Sequence, residues 1–78
     1  MITEVPFPSI DNTKADEGVV GTWFVMHGEQ VTQGQVIAEV QLDKISFDVT
    51  APVAGTMYQL VAEGVGIKPG DPMARIDS

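Results

Sequence analysis

Two short runs near the middle of the chain alternate apolar and polar positions regularly enough to define its first elements. In Val36–Leu42, Ala38, Val40 and Leu42 share one parity; in Ile45–Val49, apolar Ile45, Phe47 and Val49 alternate with Ser46 and Asp48. A period of two sends successive side chains to opposite faces, so both runs read as strands with one buried face. Only Asp43 and Lys44 stand between them, which makes this pair the centre of a tight hairpin turn. Two-residue hairpins favour Asn-Gly or Asp-Gly in primed turns. With no glycine here, a type I turn, which tolerates Asp and Lys, is expected. Lys44 would then project its amine from the end of a sheet into solvent.

The flanking sequence reads as strand and turn throughout. Ile2–Phe7 alternates and ends at Pro6 and Pro8, an opening strand. Ser9–Gly18 is polar and turn-prone and closes on glycine, so it is a surface loop, either a recognition surface or a solvated connection. Its acids lack the alternating oxygen ligands and closing Glu of a calcium loop. Val19–Met26 is rich in β-branched and aromatic residues and too short, before His27-Gly28, for a helix; it reads as a strand, bulged near Gly21. In His27–Gly34 two glycines bracket a short turn. The last predicted strand is Met73–Ile76.

After the hairpin the order of events recurs. Gly21-Thr22-Trp23-Phe24 is echoed by Gly55-Thr56-Met57-Tyr58, an offset of 34, and Val31-Thr32-Gln33-Gly34-Gln35-Val36-Ile37-Ala38 by Ile67-Lys68-Pro69-Gly70-Asp71-Pro72-Met73-Ala74, an offset of 36. Two extra residues around Gly64-Val65-Gly66 would account for the difference. Two all-strand copies that cannot bury their faces alone would close against each other. The expected fold is therefore all-β: a flattened barrel-sandwich of two antiparallel sheets, each of about four strands, with a pseudo-twofold axis. Lys44 would lie at one end and the chain termini near the other.

Composition narrows the function classes. Seventy-eight residues make a single domain, residues 1–78, with 44% hydrophobic content and three Phe, one Trp and one Tyr for its core. No cysteine is present, which agrees with a reducing compartment and leaves no disulfide to staple the fold. No run approaches a membrane span, and the N-terminus lacks the layout of a signal peptide. Four basic against eleven acidic residues leave a formal charge of −7. That excess disfavours nucleic-acid binding, because phosphate neutralisation is missing, and favours partners with a basic face.

Catalytic constellations do not emerge. Gly64-Val65-Gly66-Ile67-Lys68-Pro69-Gly70 has its third glycine out of step and no helix after it, so it matches neither nucleotide-binding loop. There is no Gly-x-Ser-x-Gly and no Cys-x-x-Cys, and the single His27 reads as an exposed turn residue. The carboxylates scatter without pairing. Nothing here reads as a self-contained enzyme.

Taken alone, a lysine beside an aspartate is ordinarily just a solvated turn; the surroundings alter that. Pro8-Ser9-Ile10 followed by Glu17-Gly18 and Trp23, the Gly28 and Gly34 turns, Glu39, Asp43-Lys44-Ile45, Ala51-Pro52-Val53-Ala54-Gly55 and Gly70 together resemble a lipoyl domain of the dihydrolipoamide acyltransferase subunits of 2-oxo acid dehydrogenase complexes, within the biotinyl/lipoyl attachment family. The resemblance covers essentially the whole chain. It departs at Gln41-Leu42, where the family commonly has Glu-Thr, at Asp11 in place of a glycine, and by one extra residue before Glu17-Gly18.

The resemblance implies that Lys44 carries lipoate as an amide, with Asp43 and Ile45 recognised beside it in the turn. The domain itself would be a non-catalytic carrier within a parent acyltransferase. Its partners would be a lipoate ligase or lipoyl transferase, a 2-oxo acid decarboxylase, the acyltransferase core and dihydrolipoamide dehydrogenase, with no nucleic acid and no membrane. The bacterial cytoplasm or the mitochondrial matrix would be the compartment. The chain stops just after its last strand, as an N-terminal piece of a longer subunit would, and the isolated domain is expected to be a monomer. Lys14 and Lys68 are poorer attachment candidates, one in an irregular loop and one in a turn. Two alternatives stand beside this reading: a biotin carrier, whose lysine usually sits between methionines where Asp43 and Ile45 stand here, and an unmodified lipoyl-like interaction module.

Overall fold

The computed structural model describes residues 1–9 and 16–78. Those residues form β1 (Ile2–Pro6), β2 (Gly18–Trp23), β3 (Glu29–Val31), β4 (Val36–Leu42), β5 (Ile45–Thr50), β6 (Gly55–Gln59) and β7 (Pro72–Asp77). Pro6 lies on an edge strand and Pro72 is the first residue of its own, the two places where a missing N–H is tolerated in a ladder. Among the described residues no helix is long and apolar enough to cross a membrane.

The strands build two antiparallel sheets, one in the order β1-β7-β6-β3 and one in the order β2-β4-β5. Ile67 gives the second sheet a partial fourth position, because its backbone bonds both ways to Gly18 at 2.8 and 2.9 Å. The expected all-β sandwich is therefore present. Between the sheets lies a wholly apolar core in which Phe7, Val20, Ile37, Val40, Met57 and Ile76 are buried, with no buried polar side chain among the described residues. Removing that surface from water is what drives two half-buried sheets together.

The pseudo-twofold can be read from the hydrogen bonds. Phe24 N–H donates to Ile37 O at 2.9 Å, and Leu60 N–H to Met73 O at 3.0 Å. Gly34 N–H donates to Ala51 O and Gly70 N–H to Phe7 O, both at 2.8 Å. The same rotation turns β1-β7-β6-β3 into β5-β4-β2 with Ile67 as the fourth member. It also makes Met1 and Ser78, whose backbones bond both ways at 2.7 and 2.9 Å, the counterpart of the β4–β5 hairpin. β4 starts beside Ala51 and runs away from Gly55, next to which Thr56 pairs with Asp77, toward Leu42, so the hairpin and the termini lie at opposite ends.

Three expectations need correction. The stretch His27–Gly34 is more than a turn, since Glu29–Val31 pairs with Met57, Thr56 and Gly55 as β3. Gly21 and Gly55 are not equivalent; Gly55 stands where Gly18 stands, since Gly55 pairs with Val31 as Gly18 pairs with Ile67, and each packs against the carbonyl of a residue near the end of a long strand, Asp77 and Gln41. The offset is 37 from Gly18 to Gly55 and 36 from Phe24 to Leu60, and the extra residue is the β2 bulge between Val20 and Thr22, at Gly21. A bulge adds one residue to one strand, which is why the echo shifts there and not near Gly64. Most of the loop read as Ser9–Gly18, including Lys14, falls outside the described residues.

Candidate functional site: the β4–β5 hairpin tip

Leu42 and Ile45 form the last pair of the β4–β5 ladder, so Asp43 and Lys44 alone make the turn, as the patterning implied. The turn type differs from expectation. Asp43 sits at φ 59 while Lys44 keeps a negative φ, the sign pattern of a primed II′ turn. A type I turn would splay two strands of native twist, and Asp is among the few side chains that accept a left-handed backbone. The strand twist outweighs the missing glycine.

The base of the hairpin is rigid. Leu42 is fully buried, and its other neighbour is Gly18 of β2, itself bonded to Ile67. Beyond that base everything opens to solvent: Asp43 and Lys44 are exposed, and so is Ile45, at 49% an apolar side chain held out beside the lysine. Among the described residues Lys44 takes part in no salt bridge or side-chain hydrogen bond, which leaves its Nζ accessible. A shallow depression lined by Gln41, Asp43, Lys44, Ile45 and Ser46 lies at the tip, and another lined by Glu17, Gly18, Val19, Gln41, Asp43 and Gly66 lies beside it. The acidic Asp43 borders the lysine, and Glu17 lines the second depression together with Asp43. Lys44, Asp43 and Ile45 are thus brought together, whereas Lys68 is exposed in the turn that ends at Gly70, in the connection between β6 and β7.

Chemically the tip offers one exposed primary amine on a fixed base and little else. No group of three potential metal ligands exists among the described residues. The amine can accept an acyl group as an amide, and a long appendage attached there would meet no obstacle among the described residues.

A group that local patterning did not show lies in the two crossovers between the sheets. Trp23 N–H donates to the Glu63 carboxylate at 2.7 Å, and Gln59 N–H to His27 Nδ1 at 2.9 Å. His27 is exposed, as read, yet it accepts a backbone hydrogen bond and stacks edge-on against Tyr58 at 5.4 Å. The 36-residue repeat held the signal, since it pairs Trp23 with Gln59 and His27 with Glu63.

The model of the biotin–lipoyl family, described as "biotin-requiring enzyme", matches residues 3–76. The chain belongs to the biotin–lipoyl family. Curated relatives include a dihydrolipoyllysine-residue succinyltransferase component of the 2-oxoglutarate dehydrogenase complex from Bartonella vinsonii, 33% identical over 63 residues that are 81% of this chain and 15% of the relative. A dihydrolipoyllysine-residue acetyltransferase component of the pyruvate dehydrogenase complex from Staphylococcus aureus is 38% identical over 63 residues, 80% of this chain and 15% of the relative. This family member therefore spans about 15% of the length of those relatives. The solution structure of the lipoyl domain of the 2-oxoglutarate dehydrogenase complex from Azotobacter vinelandii superimposes with a TM-score of 0.74 at 24% identity, covering 100% of this chain and 96% of that one. The fold is that of a lipoyl domain, of the kind carried by acyltransferase components of 2-oxo acid dehydrogenase complexes.

Proposed function

We propose that the domain is a lipoyl carrier and that Lys44 Nζ holds lipoate as an amide. The supporting observation is the exposed Lys44 amine at the tip of a two-residue hairpin whose base is buried. Bound there, lipoate supplies a dithiolane that takes up an acyl group with two electrons and releases them in turn. The protein's own work is mechanical. Leu42 and the β2–β4 ladder fix where the arm is rooted, Asp43 sets the turn that points the lysine outward, and exposed Ile45 offers an apolar contact to the modifying enzyme. Amide formation removes the lysine's positive charge and deepens the acidic excess that steers the domain toward basic faces. Tethering to a complex would raise the effective concentration of the arm at each catalytic centre.

On this reading the domain alone catalyses nothing, and its parent is an acyltransferase. Its partners are a lipoate ligase or lipoyl transferase, a 2-oxo acid decarboxylase, the acyltransferase core and dihydrolipoamide dehydrogenase, in the bacterial cytoplasm or the mitochondrial matrix. The test is intact mass after expression with lipoate and its ligase, for the native chain and for Lys44→Arg. A lipoyl increment lost in Lys44→Arg is expected. A biotinyl increment, no increment, or an increment that survives the substitution would overturn the proposal.

A further inference from the structure

We propose that Gly18 is a positioning residue for Lys44, keeping the hairpin base where the modifying enzyme meets it; this rests on the lipoyl-carrier reading above. Gly18 faces Leu42, the residue just before the turn, and is bonded on its other side to Ile67. It is buried between them. A Cβ built on Gly18 would stand 2.6 Å from the Gln41 carbonyl oxygen and 2.5 Å from Phe7 Cζ. Neither neighbour yields freely. The Phe7 ring is 1% exposed in the core, and its backbone is tied to Gly70 and Asp71 at 2.8 Å each.

Relief must therefore come partly from β4, which would shift away at Gln41. Only Leu42 and Asp43 separate Gln41 from Lys44, and a two-residue turn has no slack to absorb the movement. The displacement would pass to the lysine. An error of about 1 Å in a reacting group can cost about a hundredfold in rate.

The pseudo-twofold supplies an internal control. A Cβ on Gly55 would meet the Asp77 carbonyl oxygen at 2.5 Å and Ile76 Cγ2 at 2.7 Å, the same fault at the end of the molecule remote from Lys44. Gly55 also sits at φ 155, so Gly55→Ala is at least as strained as Gly18→Ala. A purely structural role predicts equal consequences for both. A positioning role predicts that only Gly18→Ala slows modification beyond its effect on folding.

The experiment compares native chain, Gly18→Ala and Gly55→Ala with lipoate and lipoate ligase, following intact mass with time at a temperature where thermal melts show all three folded. Modification about tenfold slower in Gly18→Ala than in Gly55→Ala is the expected result. Equal rates in the two variants overturn the inference and leave the carrier reading standing. An unmodified native chain overturns both. Should Gly18→Ala fail to fold, Phe7→Leu is added to remove the ring atoms its methyl would strike. The double variant should regain the fold yet remain slow, because the Gln41 contact persists; a native rate in it overturns the inference.

Discussion

Trp23 and Gln59 are chemically unlike, yet they make the same connection from opposite halves of the molecule. Trp23 Nε1–H donates to Val61 O at 3.1 Å, and the Gln59 side-chain amide donates to Val25 O at 3.1 Å. Each reaches from the end of a strand to the crossover of the other repeat. The paired bonds hold the crossovers side by side and fix how the halves rotate against each other.

Removing either bond should cost similar amounts. Trp23→Phe keeps a ring in the half-buried site but loses the N–H, and Gln59→Leu loses the amide. Each is expected to lower stability by about 1 kcal/mol, the usual net worth of such a bond. Urea unfolding followed by circular dichroism checks this, since Trp23 is the only tryptophan and its fluorescence vanishes with it.

Asp43 is exposed, so substitutions there read the backbone directly. Asp43→Gly and Asp43→Asn should leave the melting temperature near the native value. Asp43→Val, a β-branched residue forced to φ 59, should lose about 1–2 kcal/mol. Equal melting of all three would show that the turn relaxes to another type.

Lys44→Arg should not disturb stability by more than about 0.5 kcal/mol, because the side chain is solvated and no described residue bonds to it. Exchanging Asp43 and Lys44 keeps composition and charge but points the amine differently. Lipoylation measured by intact mass should fall sharply for the exchanged pair. A native rate would mean that the enzyme reads only the presence of a lysine.

Glu39 and Asp48 stand directly opposite each other on β4 and β5, an unfavourable like-charge pair. Asp48→Lys turns the repulsion into attraction and should stabilise the domain by about 0.5 kcal/mol at low salt. Thermal melts in rising salt should show that gain shrinking, as expected for a surface pair in which Asp48 is exposed and Glu39 half-buried. A gain independent of salt would point to propensity or packing instead.

Read in sequence order, these residues divide into two kinds. The strand limits of Val36–Leu42, the two-residue turn after it and the exposed place of Lys44 were legible because alternation and chain connectivity are local. The all-β class and the pairing of two similar halves followed from the repeat. Turn type, the β3 pairing, the phase of the repeat and the bonds of Trp23 and Gln59 were not legible, although the residues were in view.

The chain by itself determined which segments extend, which faces are apolar and which amine stands at a turn, because those depend on neighbours one or two residues away. Only the tertiary structure decided that strand twist holds Asp43 in a left-handed backbone and that Gly18, rather than Gly21, answers Gly55. Both outcomes depend on a strand from elsewhere in the chain pressing within van der Waals distance, and no local pattern encodes how closely it will come.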